Sequence, residues 1–349
     1  MSRVAVFASY SKDGVVEDYV LYFLRELGKC VDAIVFVADN SAEPSEQDKV
    51  RDLVTYASFA HHGGHDFGSY RRGFMWLEEH GLLREAEELL FVNDSCYGPV
   101  YPFEEMFDAM SGVECDFWGM TMSRQLRRHI QSYFYVFRKK VFLSEDFRSM
   151  VLSFEPQPSW LDYVEKYETR ITERLMASGY REGSYMEVVL NRRGQKGTFG
   201  EEDPQAYPET LTAMRMPLLK RKLFIPYFER ALRESLMAVL AVVEADNEVL
   251  YGIMTEDIRK MYARMCGTAE SVSVREWMRV LCRYGDEKSV LSVLAAERSR
   301  GDSLERKEME WRERFVEKNR KHLWQIRVLI AACAILMAVC VVNCVVLYL

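Results

Sequence analysis

The sequence lacks the motifs of several large enzyme classes, and each absence narrows the range of possible functions. No GxSxG, HExxH, P-loop or GxGxxG pattern occurs, which disfavours hydrolases, zinc proteases and dinucleotide-binding enzymes. None of the eight cysteines forms a CxxC pair, so neither a disulfide framework nor a zinc ribbon is indicated. An excess of basic residues is also missing. The net charge is −7, whereas a dedicated nucleic-acid binder needs a basic surface to neutralise phosphates.

The length and the balance of residue types indicate a folded chain with more than one unit. At 349 residues, the chain is long for a single domain, since domains hold roughly 100–200 residues. Hydrophobic residues make up 49% and charged residues 28% of the chain, which allows a sizeable core and excludes a wholly disordered protein. We expect reduced cysteines in a cytoplasmic compartment.

Residues 328–349 carry no charge and read VLIAACAILMAVCVVNCVVLYL. As a helix of about 1.5 Å per residue this tract covers roughly 33 Å, enough to cross a hydrocarbon core of about 30 Å; a buried core helix is the alternative. We expect a single-pass C-terminal transmembrane anchor, preceded by a charged juxtamembrane helix over 301–327. The N-terminal domain is expected in the cytoplasm, because basic residues flank the tract on that side: Lys318, Arg320, Lys321 and Arg327.

Apolar runs alternate with amphipathic stretches over the first 140 residues. Unbroken apolar runs such as 33–37 indicate strands buried on both faces, whereas helical spacing, as over 70–80, indicates helices. The alternation predicts an α/β fold over 1–224, with a mostly parallel sheet flanked by helices and ligands bound beyond the C-terminal strand ends. The pattern over 225–300 predicts a small all-helical accessory region. The strands are predicted at 3–8, 33–37, 53–59, 89–92, 116–120 and 132–137.

Polar residues follow several of these strands. Ser9 follows the first, and a glycine-rich segment with three histidines precedes the helix over 70–80. In that segment Asp66 stands just before Arg71 and Arg72, an arrangement suited to a diphosphate at a helix N-terminus. Alternatively, Asp66 or Ser69 caps the helix. The spacing of the histidines matches no zinc signature, so metal binding by them is disfavoured.

The fourth strand ends in Asn93-Asp94-Ser95. An acid at this place can hold a divalent cation that bridges the phosphates of a nucleotide sugar, because Mg²⁺ and Mn²⁺ prefer hard oxygen ligands. A lone aspartate before Gly-Pro can equally form a turn. Further on, His129 and Gln131 stand beside aromatic strands with Trp118 and Tyr133, a composition suited to sugar binding or to core packing.

Taken together, these blocks resemble the rhamnan synthesis protein F family, whose members are glycosyltransferase-like proteins of bacterial cell-surface rhamnose polysaccharide assembly. The likeness covers roughly residues 3–224, and its blocks follow one another in the family's order. The matching pieces are Asp66-Phe67-Gly68-Ser69-Tyr70, Asn93-Asp94-Ser95-Cys96-Tyr97-Gly98-Pro99, Asp116-Phe117-Trp118-Gly119-Met120-Thr121, His129-Ile130-Gln131-Ser132-Tyr133-Phe134, Tyr167-Glu168 with Ile171-Thr172 and Gly179, and Pro217-Leu218-Leu219-Lys220.

The resemblance implies a GT-A type fold and transfer of rhamnose from dTDP-L-rhamnose. It assigns Asp94 as the metal- and ribose-binding acid, with Mg²⁺ or Mn²⁺ as the cofactor. The usual GT-A motif is Asp-x-Asp, whereas this chain has Asn93-Asp94-Ser95, which leaves the metal dependence open. Glu168 is the implied base, and His129 would serve the leaving phosphate or the acceptor hydroxyls. The donor is expected to contact Ser9, Asp66, Gly68, Ser69, Arg71, Asn93, Asp94 and Gln131.

Three hypotheses about function follow. The first is a membrane-anchored glycosyltransferase that transfers rhamnose to a glycan or lipid-linked glycan, with a nucleotide-sugar donor and no nucleic-acid partner. The second is a non-catalytic, transferase-like scaffold of a polysaccharide assembly complex, suggested by the reduced Asn93-Asp94-Ser95 motif. The third is a phosphotransferase acting on sugar phosphates, which the arginines after Asp66 could serve.

Overall fold

A seven-stranded sheet lies at the centre of the computed structural model, which describes residues 2–124, 126–192, 215–224 and 230–266. The strands in chain order are β1 (Arg3–Ser9), β2 (Ala33–Ala38), β3 (Tyr56–Phe59), β4 (Glu88–Asn93), β5 (Cys96–Tyr97), β6 (Phe117–Gly119), β7 (Met122–Ser123), β8 (His129–Ile130), β9 (Phe134–Arg138), β10 (Glu182–Ser184) and β11 (Leu219–Lys220). Along the sheet their order is β10-β6-β9-β4-β1-β2-β3, and the short strands form the pairs β5–β11 and β7–β8. Within the sheet only β9 runs antiparallel to its neighbours.

Helices pack on both faces of the sheet because alternate residues of the central strands point to opposite sides. Phe7 of β1 meets Phe23 on one face, whereas Val6 lies in the core on the other face with Tyr70 and Phe74. The helices are α1 (Asp18–Leu27), α2 (Pro44–Asp48), α3 (His65–Glu79), α4 (Leu82–Glu85), α5 (Phe103–Ser111), α6 (Lys139–Phe142), α7 (Glu145–Leu152), α8 (Trp160–Tyr163), α9 (Thr169–Ala177), α10 (Tyr185–Arg192), α11 (Arg230–Asp246) and α12 (Glu248–Cys266), with a π-helical turn at Val164–Glu168 and a 3₁₀ turn at Arg221–Phe224.

The direction of chain winding reverses between β1 and β4. From β1 the chain builds outward through β2 and β3, and β4 then pairs with the other side of β1. In open α/β sheets, such a switch point leaves a crevice beyond the carboxyl ends of the two adjacent strands, where ligands bind. The residues that follow β1 and β4 are therefore expected to form a ligand-binding site.

The described residues confirm the expected α/β architecture with a mostly parallel sheet, which fits a GT-A-like fold. The predicted strand over 132–137 is Phe134–Arg138 and runs antiparallel. The predicted third strand over 53–59 is shorter, at Tyr56–Phe59. The helix predicted over 70–80 begins earlier, at His65, because the carboxylate of Asp39 holds the backbone of the preceding histidine loop through hydrogen bonds.

The expected membrane anchor at 328–349 and the juxtamembrane helix at 301–327 lie outside the described residues. Within the described ranges, which end at residue 266, no helix combines the length and the hydropathy needed to cross a bilayer. The range expected to be helical, 225–300, is described only in part, and there it forms α11 and α12.

The junction between α11 and α12 contacts the sheet domain through Asn247. Its side-chain nitrogen donates to Tyr22 Oη at 2.8 Å and to the carbonyl oxygen of Pro99 at 3.1 Å. Farther along α12, Lys260 Nζ lies 3.5 Å from Glu17 Oε2. These helices therefore pack against α1 and the segment after β5.

The close approach of α3 to β1 depends on a glycine. A Cβ atom on Gly73 would lie 2.3 Å from Val6 Cγ1, closer than packed carbon atoms can come.

We expect Gly73→Ala to lower the free energy of unfolding by about 1–3 kcal/mol through overpacking, although alanine favours helix. Urea denaturation measures the change. Gly112→Ala is the matched control, because a Cβ there meets nothing within 4 Å. Equal stability of the two variants would contradict this packing.

Candidate active site

Asp94 links the ends of β1 and β4 at the switch point. Ala8 lies opposite Asn93 in the parallel register, so the residues that follow them are neighbours. Asp94 Oδ2 accepts hydrogen bonds from Ser9 Oγ at 2.7 Å and from the Tyr10 backbone N–H at 2.9 Å. Burial raises the pKa of Asp94, although the Ser9 and Tyr10 hydrogen bonds counteract it. The carboxylate thus accepts hydrogen bonds from the end of the neighbouring strand β1, a contact that a residue serving only to form the turn would not make.

Asp66 joins this group through Asn93. The Asn93 side-chain nitrogen donates to Asp66 Oδ2 at 2.7 Å, and Ser95 Oγ donates to Asn93 Oδ1 at 2.6 Å. The N-cap residue of α3 is Gly64, which has no side chain, and the N–H of His65 donates to Asp39 rather than to Asp66 or Ser69. The capping role considered for Asp66 and Ser69 is therefore wrong. Burial, followed by the nearby charge of Asp94, raises the pKa of Asp66 to about 7.

Glu168 reaches the same cluster from the π-helical turn Val164–Glu168, a deviation that occurs often at functional sites. The Ser132 backbone N–H donates to Glu168 Oε1 at 3.0 Å. His129 Nε2 lies 3.9 Å from the same oxygen, while His129 Nδ1 lies 2.8 Å from the carbonyl oxygen of Arg127. Only 4% of His129 is exposed. This geometry suits His129 to positioning the Glu168 carboxylate rather than to contacting a substrate.

Asp39, which sequence analysis did not select, organises the histidine loop. It follows β2, is buried, and accepts backbone hydrogen bonds from His62 (2.6 Å), Gly63 (2.8 Å) and His65 (2.9 Å). Burial raises its pKa, but these N–H donors outweigh burial and the net pKa lies below the ordinary value. The loop therefore folds around a buried carboxylate. Its position directly after a predicted strand is the signal that could have found it.

The buried ring of His62 explains why glycine stands at position 68 and serine at position 69. His62 Nδ1 accepts from the Gly64 N–H at 3.1 Å, and Nε2 lies 3.0 Å from Ser69 Oγ. A Cβ on Gly68 would lie 2.8 Å from Nδ1, so only glycine leaves room for the ring. Burial lowers the pKa of His62. Gly68 and Ser69 thus hold the loop in place, and direct donor contact by either residue stays a prediction.

The remaining predicted residues lie deeper in the protein. Gln131 is buried and its Oε1 accepts from Thr121 Oγ1 at 2.6 Å. Trp118 and Tyr133 are 0% and 1% exposed, so both pack in the core and neither offers a ring face to a sugar. Arg71 lies on α3, and its buried Nε has no hydrogen-bond partner in the described part of the chain. Donor contact by Gln131 and Arg71 stays a prediction.

An exposed aromatic side chain stands at the edge of the cluster. Tyr10 follows β1 and 54% of it is exposed. Its backbone N–H bonds to Asp94, which fixes the residue beside the carboxylates. A half-exposed ring here can stack on a nucleobase or on a sugar.

The carboxylate of Asp94 suits a cation site whose other ligands are phosphate oxygens of a bound substrate. Among the described residues no group of three or more His, Cys, Asp or Glu side chains could hold a metal ion, and that includes the three histidines of the loop. Asn93 Oδ1 already accepts from Ser95. Mg²⁺ is commonly held by one or two carboxylates together with substrate phosphates. The carboxylate of Asp94 meets this requirement when phosphates supply the other ligands.

Three carboxyl side chains lie near one another at the site. The charges of Asp94 and Glu168 both raise the pKa of Asp66, so the three carboxylates lie within electrostatic reach of one another. Gathering them in a partly buried place costs free energy. A ligand that brings a cation, or that is itself part cationic in its reactive state, relieves this repulsion.

Comparison with known families identifies one matching model. The model of the family described as rhamnan synthesis protein F matches residues 34–263. This stretch includes Asp39, Asp66, Asp94 and Glu168, and it extends into α12.

Curated relatives match over part of their length. The virulence protein VirA of Vibrio anguillarum is 29% identical over 135 residues, which are 39% of this chain and 42% of the relative. The uncharacterized protein y4gN of Sinorhizobium fredii is 21% identical over 181 residues, 51% of this chain and 46% of the relative. The chain therefore spans less than half the length of these relatives.

Similar solved structures are distant. A 4-diphosphocytidyl-2C-methyl-D-erythritol synthase is 14% identical at a TM-score of 0.34, covering 52% of this chain and 86% of that one. The TarS 1–349 structure of S. aureus is 11% identical at a TM-score of 0.29, covering 82% and 92%. The Mn/GDP form of core-mannan synthase A from Aspergillus fumigatus is 9% identical at a TM-score of 0.28, covering 42% and 62%. These scores lie below 0.5, and no conclusion rests on them.

The hydrogen bonds of Asp39 predict a pH-dependent stability. Since its folded pKa lies below the unfolded value of about 3.9, the stabilisation is complete above that pH and is lost as pH falls through the folded pKa. We expect Asp39→Asn to lower the free energy of unfolding by about 1.5–3 kcal/mol at pH 7. The difference in unfolding free energy between the variant and the wild type should become smaller below about pH 4, as measured by denaturation at each pH.

The control for this experiment is Asp52→Asn at an exposed position, which should change stability little at any pH. A deficit for Asp39→Asn that stays constant down to pH 2 would show that the charge of Asp39 does not hold the loop.

Proposed function

The chain belongs to the rhamnan synthesis protein F family, and we propose that it is a glycosyltransferase that uses a nucleotide-sugar donor. The observation that carries the proposal is the convergence of Ser9, Asp66, Asp94 and Glu168 at the switch point of the sheet. A crevice at this place is where α/β folds bind nucleotides. The half-exposed ring of Tyr10 beside Asp94 adds a stacking surface for the base.

The proposed donor is dTDP-L-rhamnose, and the proposed acceptor is a glycan or lipid-linked glycan of a bacterial cell-surface polysaccharide. Family membership supports both. The uncharged tract at 328–349 supports a membrane anchor with the N-terminal domain in the cytoplasm, where an acceptor attached to lipid would be at hand.

In the proposed reaction, the bond between the anomeric carbon and the diphosphate oxygen breaks while the acceptor oxygen bonds to that carbon. The acceptor hydroxyl loses its proton to Glu168, whose carboxylate accepts a hydrogen bond from the Ser132 N–H and lies 3.9 Å from His129 Nε2. A carboxylate held at a partly buried site suits a general base. Asp94 would hold a divalent cation, which neutralises charge on the leaving diphosphate.

A non-catalytic scaffold is the second candidate, because Asn93-Asp94-Ser95 offers one carboxylate where Asp-x-Asp offers two. The decisive experiment is a donor screen with the full-length protein, with and without Mn²⁺. Transfer or hydrolysis of dTDP-rhamnose supports the enzyme. A folded protein that turns over no nucleotide sugar supports the scaffold.

Asp94→Asn tests the cation site. The amide keeps an acceptor for Ser9 and Tyr10 but loses the negative charge, so we expect Mn²⁺ affinity in the presence of dTDP to fall about 10–100-fold. Sugar transfer should fall with it, and in cells the glycan should be lost at unchanged protein level. The exposed Asp108→Asn is the control. Wild-type glycan levels in cells carrying Asp94→Asn would favour the scaffold.

Glu168→Gln tests the base. The amide retains an acceptor for the Ser132 N–H but cannot take a proton, so kcat should fall about 10²–10⁴-fold with little change in the donor's dissociation constant. Glu165→Gln, at an exposed position in the same π-helical turn, should leave kcat unchanged. The two are compared by steady-state kinetics and by calorimetry. An unchanged kcat for Glu168→Gln excludes it as the base.

A further inference from the structure

Lys220 lies beside the acidic cluster although it is far from it in sequence. Its strand, β11, pairs antiparallel with β5, and Lys220 stands opposite Cys96, two residues after Asp94. The Arg221 backbone N–H donates to the carbonyl oxygen of Ser95 at 2.9 Å. The segment with Lys220 is therefore hydrogen-bonded directly to the end of the Asn93-Asp94-Ser95 motif.

The neighbouring Arg221 anchors this segment. Its guanidinium forms two-pronged bonds to Asp257 of α12, with distances of 2.9–3.2 Å. The group also lies 4.3 Å from the ring centre of Tyr19 and 5.7 Å from that of Tyr97, and Tyr97 Oη donates to Asp257 Oδ2 at 2.5 Å. Two aromatic rings and a buried carboxylate thus fix the backbone from which the Lys220 side chain extends.

The Lys220 ammonium reaches the face of Tyr133. Its Nζ lies 4.6 Å from the ring centre, and the carbonyl oxygen of Tyr133 accepts from the Asn93 N–H. The Asn93 side chain in turn holds Asp66. In agreement with this series of contacts from Lys220 to Asp66, the charge of Lys220 lowers the pKa of Asp66. The side chain is partly exposed, so its charge faces the cluster without being sealed from a ligand.

The charge balance of the cluster indicates what Lys220 does. Three carboxylates meet here, and a nucleoside diphosphate would add further negative charge. Arg221 is committed to Asp257, whereas a lysine is a compact point charge that suits phosphate oxygens. Lys220 extends from a strand that is hydrogen-bonded to the Asn93-Asp94-Ser95 motif, so its positive charge is available beside the acidic cluster.

We propose that Lys220 binds the diphosphate of the donor, beside Asp94 and independently of any divalent cation, with Asp257 and Arg221 holding it in position. The inference rests on the proposed function for the identity of the donor. It gives a role to the Pro217-Leu218-Leu219-Lys220 block of the chain, and it supplies positive charge to the diphosphate at a motif with one carboxylate instead of two to hold a cation.

The test measures binding of dTDP and of thymidine to the full-length protein by calorimetry, without metal and with Mn²⁺. We expect Lys220→Gln to weaken dTDP binding about 10–100-fold under both conditions, since a charge-assisted hydrogen bond is worth about 1.5–3 kcal/mol. Thymidine has no phosphate, so its binding should not change. Lys220→Arg should recover part of the affinity. Lys222→Gln, exposed and two residues away, should bind as the wild type does.

Two results with the Lys220→Gln variant overturn the inference. One is unchanged dTDP binding by Lys220→Gln, and the other is an equal loss of dTDP and thymidine binding, which would indicate a structural effect. Melting temperatures confirm that each variant folds. A wild type that binds dTDP through Lys220 but transfers no sugar would contradict the proposed function and leave the inference standing. A wild type that binds none of dTDP, UDP and GDP would overturn both.

Discussion

The hydrogen bonds between Asp94 and the end of β1 are the interaction on which the rest of the site depends. They join the two strands between which the direction of winding reverses. Because the carboxylate accepts from both a hydroxyl and a backbone N–H of the neighbouring strand, its position follows from the sheet register rather than from a flexible turn. The Asn93 side chain then donates a hydrogen bond to Asp66. The Asn93 backbone N–H donates to the carbonyl oxygen of Tyr133, which links the end of β4 to the residue before β9.

This arrangement concentrates negative charge, and the surrounding structure is organised to tolerate it. Asp39 is stabilised by three backbone N–H groups and stays ionised in a buried place. Asp66 accepts a side-chain hydrogen bond from Asn93, and burial raises its pKa to about 7. The two aspartates differ in role: Asp39 holds the histidine loop, whereas Asp66 lies beside Asn93 at the end of β4. The difference lies in how many donors each carboxylate meets, which residue type alone does not reveal.

Sequence patterns predicted the central strands well because β1, β2 and β4 are buried on both faces and therefore apolar throughout. They also placed Ser9, Asp66 and Asp94 at strand or helix ends, from which topology brings them together. The start of α3 was predicted too late, since it depends on Asp39, which lies 26 positions before His65. The resemblance, rather than any local pattern, selected Glu168. Lys220 and Asp257 carry no local signal, because the pairing that places them spans more than 120 residues.

The bond between Arg221 and Asp257 also bears on where a shorter version of this protein can end. A boundary at residue 224 looks natural from the change in hydrophobic pattern, yet it would remove α12 and with it the counterion of Arg221. Deleting one partner of a largely buried ion pair is destabilising because the other charge loses its counterion, and a typical domain is only marginally stable. A shorter version of this protein therefore needs to retain α12, and the two helices after the sheet are a structural part of the sheet domain rather than an appendage.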